Sequence, residues 1–146
     1  MSEPQVDYVS VFQNLPVPIL LLTPDYLIIG ANSAYENISG KSRMELIGRS
    51  VFEAFPDNPS EPGATGTRNL GESLRRAAET GQRDVMALQR YDVEVPGRPG
   101  VFQERYWCPV NVAVMDHDGK VTMLIHLVEE VSDLIRKFVD AEAANA

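Results

Sequence analysis

The sequence predicts an α+β domain in which short helices lie on one face of an antiparallel sheet. Apolar and polar side chains alternate from Phe102 to Val114 with the period of two that is typical of a half-buried strand. An Asp-Gly turn at 118–119 separates this run from a second apolar run, which predicts a hairpin. Residues 69–80 instead repeat apolar side chains at helical spacing. In a chain of 146 residues, these patterns predict one domain with one core.

The first thirty residues predict a helix followed by a hairpin. Residues 8–15 place apolar side chains on one helical face, and the prolines at 16 and 18 cannot continue that helix. Two apolar runs at 19–22 and 27–29 flank a Thr-Pro-Asp turn. Such runs around turn residues predict two paired strands.

Two short helices are predicted next by their capping residues. Asn32 or the serine after it can cap a helix that Gly40 ends. Ser42 and Glu45 stand three residues apart, which is the spacing of a capping box. Helices of one or two turns are not stable alone, so both are expected to pack on the sheet.

The second half of the chain predicts one longer helix and a three-stranded meander. A loop rich in proline and glycine at 56–66 precedes the helix at 69–80. Apolar runs at 84–93, 102–114 and 120–131 predict three antiparallel strands, with a tight turn between the last two. With the N-terminal hairpin, these strands make a five-stranded sheet.

The alternation also predicts which side chains of the last two strands face the core. Tyr106, Cys108 and Val110 are expected on the core face of the long strand. Leu124 and His126 are expected on the outer face of the last strand, on the same side as Thr122 and Val128. Met123 and Ile125 would then point to the other side. Pro109 has no N–H group, which predicts a bulge or a missing ladder bond at that position.

The chain ends in a segment with two possible helical packings. Leu127, Val131, Leu134, Phe138 and Ala141 follow one another at spacings of four and three, the pattern of a coiled-coil seam. Two heptads are fewer than such a seam usually needs, so an amphipathic helix that folds back on its own sheet stays an equal alternative.

Four local motifs and the order of the elements resemble the PAS sensory domain family. Residues 28–35 are similar to the second strand of the family and its Asn-led helix, and residues 42–49 resemble its S/T-R-x-E-L-x-G-R segment. Residues 118–121 are similar to the last hairpin turn of the family. Glu130, Val131 and Ser132 stand where PAS domains often carry an Asp-Ile-Thr junction. The resemblance covers about residues 8–133.

This resemblance implies a PAS fold and a sensory role. It divides the chain into a PAS domain at 1–133 and the start of a signalling helix or linker at 134–146. The loop at 55–59 and the strand at 89–92 are most similar to input domains of bacterial sensor kinases and related signalling proteins. It implies a homodimer and an output domain in the same polypeptide, with any kinase domain lying beyond residue 146.

Composition narrows the partners and the compartment. The net charge of −8 would repel nucleic acid and anionic membranes. The first forty residues contain no Lys or Arg, and the apolar run at 15–22 is far shorter than the roughly 20 residues of a membrane span. One cysteine allows no internal disulfide. We therefore expect a cytoplasmic domain with no membrane insertion and no nucleic-acid partner.

The residue patterns favour neither catalysis nor the common PAS cofactors. His117, Asp118 and Lys120 superficially resemble a phosphoacceptor box but belong to the Asp-Gly turn. Haem-binding PAS domains usually offer a histidine from the longest helix, and residues 69–80 contain none. The Asn-Cys-Arg-Phe-Leu-Gln segment of flavin-binding members is absent. The sequence thus predicts no enzyme, no metal, and either no cofactor or a small organic ligand.

Two sets of residues are the predicted functional positions. An ordinary filled core is the favoured interpretation of the core face, and the alternative is a ligand pocket lined by the same residues: Leu74, Ala78, Met86, Leu88, Tyr106, Cys108, Val110, Met123 and Ile125. Dimerisation and signal relay would involve Leu124, His126, Glu130, Val131, Ser132, Leu134, Phe138 and Ala141. Two other functions stay open: a small α+β enzyme or carrier that uses the cavity, and an interaction module without ligand.

Overall fold

A computed structural model of the chain describes residues 3–56, 66–90, 93–94 and 97–145. The helices in these residues are α1 (Tyr8–Asn14), α2 (Ser33–Ser39), α3 (Arg43–Leu46), α4 (Val51–Ala54), α5 (Gly66–Thr80) and α6 (Ser132–Ala144). The strands are β1 (Ile19–Leu22), β2 (Ile28–Ala31), β3 (Asp84–Val85), β4 (Gln89–Arg90), β5 (Val93–Glu94), β6 (Phe102–Gln103), β7 (Tyr106–Met115) and β8 (Val121–Glu130).

The strands form an antiparallel sheet in the order β2-β1-β8-β7-β3, and β4 also pairs with β7. Strands β5 and β6 form a separate two-stranded ribbon. The N-terminal hairpin thus joins the sheet through β1 and β8, and the long β7–β8 hairpin forms its centre. The predicted α+β class, the antiparallel sheet and the C-terminal exit helix are confirmed.

Pro109 explains why the strand predicted at 84–93 is interrupted. In an antiparallel pair, the N–H and C=O of one residue point to the same neighbouring strand. The carbonyl of Pro109 accepts a hydrogen bond of 2.9 Å from the N–H of Met86, so the missing donor of Pro109 faces the same side. Pairing on that side stops after Val85 and resumes at Gln89. The position on β7 that lacks a ladder hydrogen bond therefore lies opposite the gap between β3 and β4.

The predicted turns and caps are present, and the helices differ from the prediction at two places. Asp116 accepts hydrogen bonds of 2.9 Å from the N–H groups of Asp118 and Lys120, and Gly119 adopts a φ of 79°. The segment around His117 is therefore a hairpin turn. Helix α5 begins at Gly66, before its predicted start, and the one-turn helix α4 was not predicted. Two predicted segments lie partly outside the described residues: most of the loop at 56–66, and residues 91–92 of the strand at 89–92 that resembles sensor kinase input domains.

A buried asparagine ties the N-terminal segment to the first hairpin. Asn32 caps α2 by accepting from the N–H of Tyr35 at 3.1 Å, and it also accepts from the N–H of Ile19 at 3.0 Å. Its amide donates to the carbonyl of Val17 at 2.8 Å. Because Asn32 is fully buried, these bonds replace those that water would make.

The core lies between the sheet and helices α2 to α5. Its buried members come from both strands and helices, so one apolar cluster joins all the short helices to the sheet. The cluster consists of Leu20, Leu22, Ile28, Ala31, Tyr35, Leu46, Val51, Ala54, Leu74 and Leu124. We refer to the side of the sheet that faces this cluster as the inner face and to the opposite side as the outer face.

Candidate signalling site

The two faces of β7 and β8 are the reverse of the prediction. Leu124 is 1% exposed and His126 is 6% exposed, and both lie on the inner face. Their partners on β7, Ala113 and Asn111, share that face because paired residues of an antiparallel sheet point to the same side. The expectation that Leu124 and His126 lie on an outer docking surface is therefore wrong.

The reversal also divides the nine residues predicted to line a pocket. Five of them lie half-buried on the outer face and cannot share an interior cavity with α5: Tyr106, Cys108, Val110, Met123 and Ile125. Leu74 and Met86 are buried, Ala78 is half-buried and packs on the core, and Leu88 is 50% exposed. A single pocket lined by all nine is thus wrong, and ligand contact at Leu74, Ala78 and Met86 stays a prediction.

An open cleft lies elsewhere, between α4 and the start of α5. It has a volume of about 410 Å³, and its described lining residues are Phe52, Pro56, Thr67 and Arg68. None of these residues belongs to the predicted pocket. The cleft therefore gives no support to the predicted ligand residues.

A chain of hydrogen bonds crosses the inner face from α5 to β8. Asp84 accepts from the hydroxyl of Ser73 at 2.5 Å and pairs with Arg76, with a distance of 3.0 Å between Arg76 Nε and Asp84 Oδ1. The amide of Asn111 donates to Ser73 Oγ at 2.8 Å. On its other side, Asn111 Oδ1 lies 2.7 Å from His126 Nδ1. We call this set of five residues the buried polar chain.

Burial and charge set the protonation of the two ends of this chain. Burial lowers the pKa of His126 from 6.5 to about 4, so its imidazole is neutral at neutral pH. The hydrogen bonds from Arg76 and from Ser73 hold the pKa of the Asp84 carboxyl below its usual value. Asp84 is therefore an ionised acceptor. The sequence signal that could have found the chain is the polar pair Asn111 and His126 on otherwise apolar strands.

A second polar cluster fixes the junction between β8 and α6. Ser132 Oγ accepts from the N–H of Tyr106 at 2.9 Å and donates to Glu130 Oε1 at 3.1 Å. Glu130 also forms an ion pair with Arg105. The N–H of Val131 donates to the carbonyl of Tyr106 at 2.9 Å. The start of α6 is thus bound to the first residues of β7, and the predicted relay residues 130–132 meet there.

Beyond its first residue, α6 is largely uncovered. Leu134 is 66% exposed and Phe138 is 64% exposed, and Ala141 is exposed as well. In the described part of the chain the helix does not fold back to bury these side chains. The three predicted seam residues therefore lie free on a helix that leaves the sheet.

The described residues offer neither a metal cluster nor a membrane helix. Among them, no group of three or more His, Cys, Asp or Glu side chains is placed to hold a metal ion. No described helix has the length and apolar content needed to cross a bilayer.

Comparison with known proteins identifies the family. The sequence profile described as the PAS fold matches residues 12–136. The chain belongs to the PAS family. No curated protein sequence matches the chain. As a PAS domain it is a sensory, non-catalytic module, so the alternative of a small enzyme is not supported.

Solved structures show the same PAS fold in different proteins. A sensory box sensor histidine kinase from Vibrio cholerae is similar with a TM-score of 0.58 and 15% identity, over 86% of this chain and 90% of that chain. The PAS domain of Bordetella pertussis BvgS has a TM-score of 0.57 and 21% identity, over 92% and 93%. The Vibrio cholerae VqmA–ligand–DNA complex has a TM-score of 0.64 and 19% identity, over 96% of this chain and 58% of VqmA. At these identities the likeness shows the fold.

Proposed function

We propose that this PAS domain is the dimerising, cytoplasmic input module of a bacterial signal-transduction protein. It passes a small-molecule or partner signal through α6 to an output domain in the same polypeptide. The observation that carries the proposal is the junction at Glu130 and Ser132, which holds the start of α6 on β7 while the apolar side chains of α6 are exposed.

The junction supports transmission because it couples the direction of α6 to the position of β7. Two hydrogen bonds and one ion pair join residues 130–132 to Arg105 and Tyr106, and a third hydrogen bond links Ser132 to Glu130. A signal that prefers one arrangement of the sheet would therefore also prefer one orientation of the helix. Such a preference shifts the population between two helix arrangements, which is the thermodynamic content of a sensory switch.

Dimerisation is supported by apolar surface on α6 and on the sheet. Leu134, Phe138 and Ala141 follow one another at spacings of four and three, so two parallel copies of α6 could bury them in one seam. The outer face adds a second apolar surface of half-buried side chains, with Val110, Val112, Ile125 and Leu127 at its centre. A second copy of the chain is the occupant that we propose for both surfaces.

The oligomeric state tests this part of the proposal directly. We expect light scattering to give a dimer at high micromolar concentration, and Phe138→Glu to weaken it at least tenfold by placing a charge in the seam. Val139→Glu is the matched control, because Val139 is a neighbouring exposed apolar residue outside the seam positions. A wild-type monomer at that concentration, or equal weakening by both variants, would contradict the seam.

For the output domain we propose a histidine kinase. Its support is the likeness of the fold to the sensor histidine kinase from Vibrio cholerae. A DNA-binding receptor, as in VqmA, is the second candidate, because the VqmA fold is also similar. The net charge of −8 favours the kinase context, since a strongly acidic domain repels phosphates. Binding of this domain to duplex DNA in low salt would argue against the proposed absence of a nucleic-acid partner.

We propose a small organic ligand as the signal, with Leu74, Ala78 and Met86 as its candidate contacts on the inner face. One PAS-fold structure, VqmA bound to DPO, has a TM-score of 0.62 to this chain, which supports a small molecule in this fold. Native mass spectrometry of freshly purified protein, with its absorption spectrum, tests the proposal. An added mass that Leu74→Trp removes would support it. An unliganded mass that stays unchanged in cell extract would favour a protein signal at the outer face.

A further inference from the structure

Asp84, at one end of the buried polar chain, sets which group donates and which accepts in each of its hydrogen bonds. An ionised carboxylate can only accept hydrogen bonds, so the hydroxyl of Ser73 must give its proton to Asp84. Ser73 Oγ is then left with acceptor capacity toward Asn111. Asn111 must therefore present its NH₂ group to Ser73 and its Oδ1 to the histidine. This orientation agrees with the distances of 2.8 Å from Asn111 Nδ2 to Ser73 Oγ and 2.7 Å from Asn111 Oδ1 to His126 Nδ1.

The same logic fixes the tautomer of the histidine. Because Asn111 Oδ1 has no proton, His126 Nδ1 must carry one. In a neutral imidazole, Nε2 is then a bare acceptor. None of the described residues donates a hydrogen bond to Nε2. A surface carboxylate thus determines, through two intervening side chains, the hydrogen-bonding character of a histidine on the inner face.

We propose that the Asp84 carboxylate, at its ion pair with Arg76, is a surface control point that locks His126 in the Nδ1–H tautomer. The pair is accessible, because the side chain of Arg76 is 50% exposed and that of Asp84 is 21% exposed. Ser73 and Asn111, in contrast, are fully buried, so the path between the ends is shielded from water. Loss of the Asp84 acceptor opens the reverse arrangement, in which Asn111 turns over, donates to Nδ1 and leaves the proton on Nε2.

The tautomer of His126 determines which polar groups the inner face can bind. While Asp84 holds His126 in the Nδ1–H tautomer, Nε2 is an acceptor, so a group beside it must bring an O–H or N–H donor. When the Asp84 acceptor is lost and the proton moves to Nε2, Nε2 donates, so the group beside it must be an acceptor. The control point would thereby select between two classes of polar group without moving the backbone. It requires neither the proposed dimer nor the proposed ligand.

The tautomer can be read by long-range ¹H–¹⁵N NMR, which separates protonated from bare ring nitrogens. We expect the wild-type His126 to show the Nδ1–H pattern, with His117 assigned through His117→Gln. Asp84→Ala and Ser73→Ala should each shift the pattern toward Nε2–H, because both remove the order imposed on Asn111. Arg76→Gln should keep the wild-type pattern, since the carboxylate still accepts from Ser73.

Asp133→Ala is the matched control, because it removes an exposed ion pair, that of Asp133 with Arg136, on α6. It should leave both nitrogens of His126 unchanged. Ser73→Ala removes only a hydroxyl, so it keeps the test decisive if Asp84→Ala does not fold. A wild-type Nε2–H pattern, or a Ser73→Ala protein that keeps the Nδ1–H pattern, would overturn the inference.

Discussion

Acidification should destabilise the domain through His126. Its pKa lies near 4 in the fold because of burial, whereas an ordinary histidine titrates near 6.5. Between these values the unfolded chain binds a proton that the folded chain rejects, so the free energy of unfolding falls as the pH falls through this window. At about 1.36 kcal/mol per pH unit, the full window is worth roughly 3 kcal/mol. Above pH 6.5 the contribution is complete and constant.

Denaturant titrations at pH values from 4.5 to 7.5 measure this loss, and the single Trp107, which is buried, provides the fluorescence signal. We expect His126→Gln to flatten the slope over this window, whatever its effect on stability at pH 7.5. His117→Gln, in the exposed turn, should keep the wild-type slope. Asp84 titrates below its usual value in the fold, and both variants retain it. If the wild type and His126→Gln lose stability in parallel, the assignment is wrong.

Four further substitutions test the core, the two faces of the sheet and one glycine turn. Asn32→Ala should lower the free energy of unfolding by about 2–4 kcal/mol, because three short hydrogen bonds lose their partner in a buried site; thermal unfolding by circular dichroism measures it. Leu124→Asp should abolish folding, whereas Leu127→Asp on the outer face should keep the circular dichroism spectrum and weaken the dimer; a folded Leu124→Asp protein would contradict the face assignment. Gly81→Ala should destabilise by about 1 kcal/mol or more, since its φ is 68° and a Cβ would lie 2.7 Å from Met115 Cε; an unchanged melting temperature would refute this.

Local chemistry made much of the fold predictable. Capping by Asn32 and Ser42, and the Asp-Gly turn at 118–119, each depend on a few neighbouring residues, so they can be read without the tertiary structure. The gap beside Pro109 was also foreseeable as a missing bond. The interruption of the neighbouring strand could not be predicted, because the sequence alone does not show which strand lies on the side of Pro109 that lacks the N–H donor.

The faces of the central strands were mispredicted for a definite physical reason. Hydropathy assigns the more apolar side of a strand to the core, and on β7 that side carries Cys108, Val110 and Val112. The inner face instead holds Asn111 and His126, which form a hydrogen bond of 2.7 Å with each other. Burial of a polar pair becomes acceptable only when the partner is present, and that partner lies fifteen residues away on another strand.

The interruption at Pro109 also limits how this sheet can associate. A strand can join the edge of a sheet only where consecutive N–H and C=O groups are free to pair with it. Over residues 84–90 the edge consists of two strands of two residues each, separated by the segment opposite Pro109. Such a broken edge is a poor template for strand addition or fibre growth. In the proposed dimer, contact between copies would therefore use side chains on the outer face and on α6 rather than this edge, and substitutions there would tune its strength.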